Sequence, residues 1–305
     1  MSLVTFLAPV LLATLPAERP ATVLPAPLVP LGVERITGPA GFEHPAPVFA
    51  LDAAGLEAAL PHERLRLAAW PLPDGGAVDL DLERLPVVST GGGQLWVDGL
   101  PSGQLIGEGI SLWSGEVAGE PDSDVFLALS IGGTRGWIRR GGASPDLAHV
   151  LAEPHPVDGW EAARVRMVTE RSLGFGPATP CSLDDLPNGG RLPGARPTQA
   201  TAPAPEVLDT EPFLVPVLRE LTIALETDHN FYQLFGNLTS AQAYALSLMG
   251  AVSARYREQV DMVITLPYLG LYTTSADPWT TPDWGGGSVD MLYEFQAAWY
   301  PNMPV

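Results

Sequence analysis

Few residues in this chain are of types that do chemistry, and their spacing narrows what that chemistry is. The single cysteine, Cys181, sits in the run Pro180-Cys181-Ser182-Leu183-Asp184-Asp185. A lone thiol forms no internal disulfide. It is an incidental thiol, the partner of a cysteine elsewhere, or a soft metal ligand. Asp184 and Asp185 beside it raise a thiol's pKa, which works against reactivity in the absence of a metal. The histidines are His44, His62, His149, His155 and His229. None pairs with another at the i, i+4 spacing that lets two imidazoles share a metal on one helix face. Asp277, Asp283 and Asp290 flank a Trp-rich segment. Calcium would accept such oxygens, but Asp-Pro and Gly runs ordinarily make loops, which is the reading taken. Asp228 and His229 follow a strand pattern and are expected to cap it and face solvent. Gly91–Gly93 and Gly285–Gly287 lack the Gly-Lys-Ser/Thr of a phosphate loop, and no Gly-x-Ser-x-Gly elbow is present. Serine-hydrolase chemistry is unsupported.

The elements that must position these groups are clearest between Arg219 and Pro301. Leu221, Ile223 and Leu225 alternate with Thr222, Ala224 and Glu226, the period of a half-buried strand. A helical pattern then runs to about Glu258, with Thr239 or Ser240 as the natural N-cap. Ala241, Tyr244, Leu248, Val252 and Tyr256 form one apolar stripe along it. Asn237-Leu238-Thr239 is also a glycosylation sequon, for which the helix start is the preferred reading. Val260 to Tyr272 reads as a second strand, so strand, crossover helix and strand make a right-handed βαβ unit. Ser288 is expected to cap a further helix whose face is Met291, Leu292, Phe295 and Trp299.

At these residues a resemblance appears. Leu221 to His229, then Phe231 to Gly236, Ala251 to Tyr256, Asp277-Pro278-Trp279 and Met291 to Phe295 with Trp299 resemble the opening of the catalytic domain in secreted bacterial zinc metallopeptidases. The group is the reprolysin-like (adamalysin-type) metzincins. The resemblance implies an α+β chain: a β-rich prodomain followed by the N-terminal part of an α/β metzincin-like catalytic domain. The family's His-Glu-x-x-His-x-x-Gly-x-x-His helix is absent from these 305 residues. The chain therefore reads as a precursor truncated before its zinc motif, with no catalytic residue of its own. In related precursors a propeptide thiolate fills zinc's fourth position and keeps out the hydrolytic water. Cys181 is the candidate for that zinc-switch role. Some reprolysins hold calcium with an acid inside the first strand; the matching residue here is Thr222, so that site is not carried over. The implied cofactor is zinc, and the implied partner a protein or peptide substrate. A secreted, non-enzymatic binding protein that kept a degenerate protease fold is the rival reading.

The rest of the chain supplies the frame. With 16 basic and 35 acidic residues the net charge is −19, which argues against nucleic-acid or anionic-membrane binding. Leu3 to Leu15 is an apolar run of signal-peptide length, so residues 1–17 read as a probable signal peptide and the protein as exported. Residues 18–175 form the β-rich propeptide-like part, 176–216 a Pro-rich linker, and 217–305 the start of the catalytic part. Glu18 to Pro47 is Pro- and Ala-rich and is expected to be extended and partly disordered. Leu51 to Leu60 reads as a short helix capped by Asp52. Strand patterns follow at Leu65–Trp70, Ala77–Leu82, Pro86–Ser89, Gln94–Val97, Ile110–Val117, Ser123–Ile131 and Thr134–Arg139, separated by turns such as Asp98-Gly99. The block Gly115 to Ile138 also resembles the propeptide hairpins of reprolysin-like precursors.

Overall fold

The computed structural model describes residues 21–37, 43–88, 92–141, 147–155, 159–173, 218–280 and 293–297. The strands are β1 (Thr22–Pro25), β2 (Leu28–Thr37), β3 (Glu43–Leu51), β4 (Arg64–Pro71), β5 (Ala77–Arg84), β6 (Gln94–Val97), β7 (Leu100–Leu105), β8 (Ile110–Val117), β9 (Glu120–Ser130), β10 (Arg135–Arg139), β11 (Leu147–His155), β12 (Gly159–Thr169), β13 (Arg219–Glu226) and β14 (Met262–Leu271). The helices are α1 (Ala53–Ala59), α2 (Glu170–Leu173), α3 (His229–Gln233) and α4 (Leu238–Val260), with a further helical run at 293–297. Ten strands form one curled sheet in the order β1-β4-β5-β8-β9-β10-β11-β12-β3-β2. The other four form a second sheet, β13-β14-β6-β7.

This arrangement overturns the α+β expectation of a β-rich prodomain followed by a metzincin-like α/β domain. Strand dominates the described residues, and the second sheet mixes chain from both halves. The physical reason lies at Gln94–Val97. Its Leu95 and Val97 alternate with polar or aromatic neighbours, which makes a strand but does not say whose strand it pairs with. It pairs with β14 on one side and with β7, the strand that follows it, on the other, and not with β5 before it. Residues 21–37 also depart from the disorder expected of them, because β1 pairs with β4 and β2 with β3.

Burial explains why the sheets hold. On β9, Val125, Leu127 and Leu129 point into one core with Trp70, Trp113, Leu65 and Leu67, closed by Leu56 and Ala59 of α1. Asp52 caps α1 as expected, accepting from the Ala54 amide at 3.2 Å. The opposite face of β9 presents Phe126 and Ala128 to a second core. A single better-buried face was expected of this strand, yet residues 125–130 are buried throughout. The second core draws Leu85, Val87, Leu95, Ile106, Ile110 and Leu112 from the N-terminal half, and Leu246, Leu266, Leu269 and Leu271 from the C-terminal half.

Helix α4 packs on both sheets, and of the predicted apolar stripe only Ala241 is buried and Val252 half-buried, the large residues being turned away from the core. The buried residues are small: Ser240, Ala241, Ala243, Ala245, Ser247, Gly250, Ser253 and Ala254, with Gln242 and Leu246. Tyr244, Leu248 and Tyr256 face outward, Leu248 being 52 % exposed. Close approach to β9 accounts for this choice. A Cβ on Gly250 would stand 3.0 Å from the Phe126 ring, so only a small-residue face fits there. Polar contacts then pin the helix: Arg255 lies 2.9 Å from the Asp124 carboxylate and 4.8 Å from the centre of the Trp137 ring, while Trp137 donates to the same carboxylate at 2.7 Å. At a partly exposed site such a contact of a guanidinium on an indole face contributes about 0.5–1 kcal/mol.

Candidate functional site at the carboxyl ends of the parallel strands

In open parallel sheets the crevice beyond the carboxyl ends of the strands is where ligands bind. Here β13 and β14 run parallel, with Leu221 opposite Ile264 and Leu225 opposite Leu269. Glu226 closes β13 and Tyr268 lies near the end of the ladder on β14, while Asp228, His229 and Tyr272 follow the two strands in sequence. Tyr268 donates to the Glu226 carboxylate at 2.9 Å, and Tyr272 lies 3.5 Å from the same oxygen. Burial raises the Tyr272 phenol to about 12, reinforced by the neighbouring carboxylate of Glu226. Tyr268 is raised as well, first by burial, then by its hydrogen bond to Glu226 and by that carboxylate's charge. Both stay protonated at neutral pH and act as hydrogen-bond donors.

The turn into α3 is built by two aspartates. Asp228 is its N-cap, accepting from the Phe231 amide at 2.7 Å. Asp277 reaches back from the later loop to accept from the His229 amide at 2.7 Å, and its other oxygen accepts from the Trp279 amide at 3.1 Å. Asp228 thus caps the helix α3 that follows and not the strand end it was expected to cap, and Asp277 ties its loop to the start of that helix. The His229 ring lies 2.9 Å from the Gln233 amide nitrogen. Thr222, which stands where some reprolysins carry an acid, meets Thr265 across the pair at 3.4 Å.

Beside these groups opens a recess of about 450 Å³, lined by Leu225, Phe231, Leu234, Leu248, Trp279 and Phe295, with Glu226 and Asp228 at its rim. Trp279 and Phe295 stack at 5.7 Å. Such a recess suits an apolar side chain, and its acidic rim suits a cationic neighbour. Its outer wall, Leu234 and Leu248, is the exposed apolar side of α3 and α4. Sequence reasoning missed this recess because the stripe on α4 reads equally well as core.

The start of α4 corrects another expectation. Its N-cap is Asn237, whose side-chain oxygen accepts from the Ser240 amide at 2.8 Å, and not Thr239 or Ser240. The sequon asparagine is thus engaged in capping. Asn237→Ala is expected to cost about 1 kcal/mol, read as a lower urea midpoint with unchanged slope. Asn237→Asp, which keeps the acceptor, is expected to restore most of it.

Cys181, Asp283 and Asp290, with Ser288, Met291, Leu292 and Trp299, lie outside the described residues. Among the described residues no group of three or more His, Cys, Asp or Glu is placed to hold a metal ion. These residues therefore do not fit a catalytic zinc. No helix among them is long and apolar enough to cross a membrane. No family model matches the chain, and no curated protein matches it either.

Proposed function

We propose that this chain belongs to a secreted zinc metalloendopeptidase precursor of the reprolysin-like kind. The observation that carries this reading is the unfinished edge of the second sheet. β13 pairs only with β14 among the described residues, and its outer edge carries Leu221 at 38 % exposure. On α4, Leu248, Tyr256 and Val260 are exposed, while Tyr244 is partly covered by Phe231, Phe235 and Arg135. A bare strand edge and an exposed apolar helix face are each an aggregation liability that native proteins cover. Leu221–His229, which spans β13 and the turn after it, and Ala251–Tyr256 of α4 are among the residues that carry the peptidase resemblance.

Purified 1–305 is expected to contain no stoichiometric zinc and to leave casein intact, as metal analysis and a chelator-controlled assay would read. Expressing the reading frame through and beyond Val305 is the deciding experiment. The longer product should bind one zinc and cleave casein in a chelator-sensitive way. A frame that ends without a His-Glu-x-x-His motif would rule the proposal out.

One observation favours a second reading, a non-enzymatic binding protein. The second core is shared between the halves, and the other edge of β14 is already filled by β6. That reading is supported if 1–305 is monomeric and its β13 amides resist hydrogen exchange.

A further inference from the structure

The β6–β7 hairpin belongs by sequence to the N-terminal half and by pairing to the C-terminal strands. β6 lies parallel to β14, with Gln94 opposite Tyr268, Leu95 opposite Leu269, Trp96 opposite Gly270 and Val97 opposite Leu271. Leu95 is buried and Val97 packs against the same core. Trp96 turns to the other face, its ring 5.7 Å from that of Tyr268. The chain then reverses through Asp98 and Gly99, both at positive φ, as a two-residue Asp-Gly hairpin turn requires. The Asp98 amide donates to the Leu271 carbonyl at 3.0 Å. Its carboxylate receives the Thr273 amide at 2.7 Å, the Thr273 hydroxyl at 2.6 Å and the Thr274 amide at 3.2 Å. Burial alone would raise this carboxyl; the hydrogen bonds from Thr273 and Thr274 outweigh it and hold it below its usual range. At the other end a Cβ on Gly93 would stand 2.6 Å from the Leu266 carbonyl and 2.5 Å from Ile106.

Past β7, Ile106 returns to the second core and its amide donates to the Gly93 carbonyl at 2.9 Å, so the hairpin is held at its base and along β6. β7 is exposed along its whole length, and a two-stranded hairpin is marginal in water on its own. A short ladder, one buried aliphatic side chain and a terminal acid latch are the means by which strand-adding domains hold extended peptides.

We infer that the β14 edge, with Thr273 and Thr274 beyond it, is a strand-receiving site for an extended peptide of the pattern glycine, any residue, aliphatic, aromatic, aliphatic, aspartate, and that the 94–105 hairpin is its built-in occupant. The inference goes beyond the peptidase reading and does not rest on it. Such a peptide competes with the hairpin whenever the hairpin lifts away. Specificity comes from three places: the Gly93 close approach, the Leu95 and Val97 positions on the core side, and the Asp98 latch.

The probe is a labelled peptide of the sequence Gly-Gln-Leu-Trp-Val-Asp-Gly, titrated by fluorescence anisotropy into the full chain and into Leu95→Asp and Asp98→Ala variants. Both variants weaken the built-in strand and should bind the peptide about tenfold more tightly than the unaltered chain. The Thr273 and Thr274 amides of each variant should exchange faster and slow again when peptide is added. A peptide with alanine in place of its aspartate should bind about tenfold more weakly. A scrambled peptide binding equally well would overturn the inference. So would a folded Asp98→Ala chain whose Thr273 amide exchanges at the unaltered rate. If Leu95→Asp fails to fold, the milder Asp98→Ala comparison decides the matter alone, since it leaves the core intact.

Discussion

Gly115→Ala is expected to cost about 4 kcal/mol or more, among the largest penalties any single change in this chain should carry. A Cβ at this position would stand 2.0 Å from the Asp81 carbonyl oxygen and 3.0 Å from the Leu82 Cα. Both obstacles are backbone, so no flexible side-chain end can yield. Gly115 lies on β8 opposite Leu82 of β5, inside the ten-stranded sheet, and the two strands would have to separate to admit one methyl group. Trp113 and Val117 on β8 and Leu80 and Leu82 on β5 sit in the first core, so separation opens that core as well. Urea unfolding followed by tryptophan fluorescence should show a sharply lower midpoint. As a contrast, Gly103→Ala changes a glycine on the exposed strand β7 with nothing within 4 Å of the new Cβ, and its cost should be only that of its positive φ. Equal midpoints for the two variants would show that β5 and β8 sit farther apart than described.

Elements whose existence depends on local pattern were legible in the amino-acid order; partners and faces were not. The alternation at Ala77–Leu82, Ile110–Val117 and Leu221–Leu225 marks strands at β5, β8 and β13 because side-chain direction alternates along any strand. Asp98-Gly99 marks a turn because its residues tolerate positive φ. Pairing is a tertiary choice. Gln94–Val97 looks like a member of the N-terminal meander and instead joins β14, while Pro86–Ser89 yields only an isolated bridge from Val88 to Leu266. The outward stripe of α4 shows the same limit from the other side. Large apolar residues at helical spacing say that a face gets covered, whereas the close approach of β9 selects the small-residue face for the buried position. In the candidate site, Asp228 was readable as a cap, though not as that of α3, because capping is local. Glu226, Tyr268, Tyr272 and Asp98 were not, because their meeting depends on the parallel register of β13, β14 and β6.

Phe126→Ala is expected to cost about 3–5 kcal/mol, and to do so unevenly across the molecule. The ring is 1 % exposed, lies 4.8 Å from the Trp137 ring, and fills the space that Gly250 leaves open on α4. It is the largest side chain that β9 contributes to the second core, where the halves of the chain meet. Removing it leaves a cavity that α4 cannot close, because Arg255 is held by Asp124 on the same β9 and fixes the helix at its present distance. Stability should therefore be lost first in α4 and β14, while strands around the first core stay protected. Leu127→Ala supplies the discriminating comparison. Leu127 is fully buried on the opposite face of the same strand, among Trp113, Leu65 and Leu67. Its loss should weaken β4, β5 and β8 and should spare α4 until global unfolding. Hydrogen exchange on the two variants separates the cases. If Phe126→Ala speeds exchange equally in β4 and in α4, the two cores unfold as one cooperative unit, and the C-terminal segment has no stability of its own to lose.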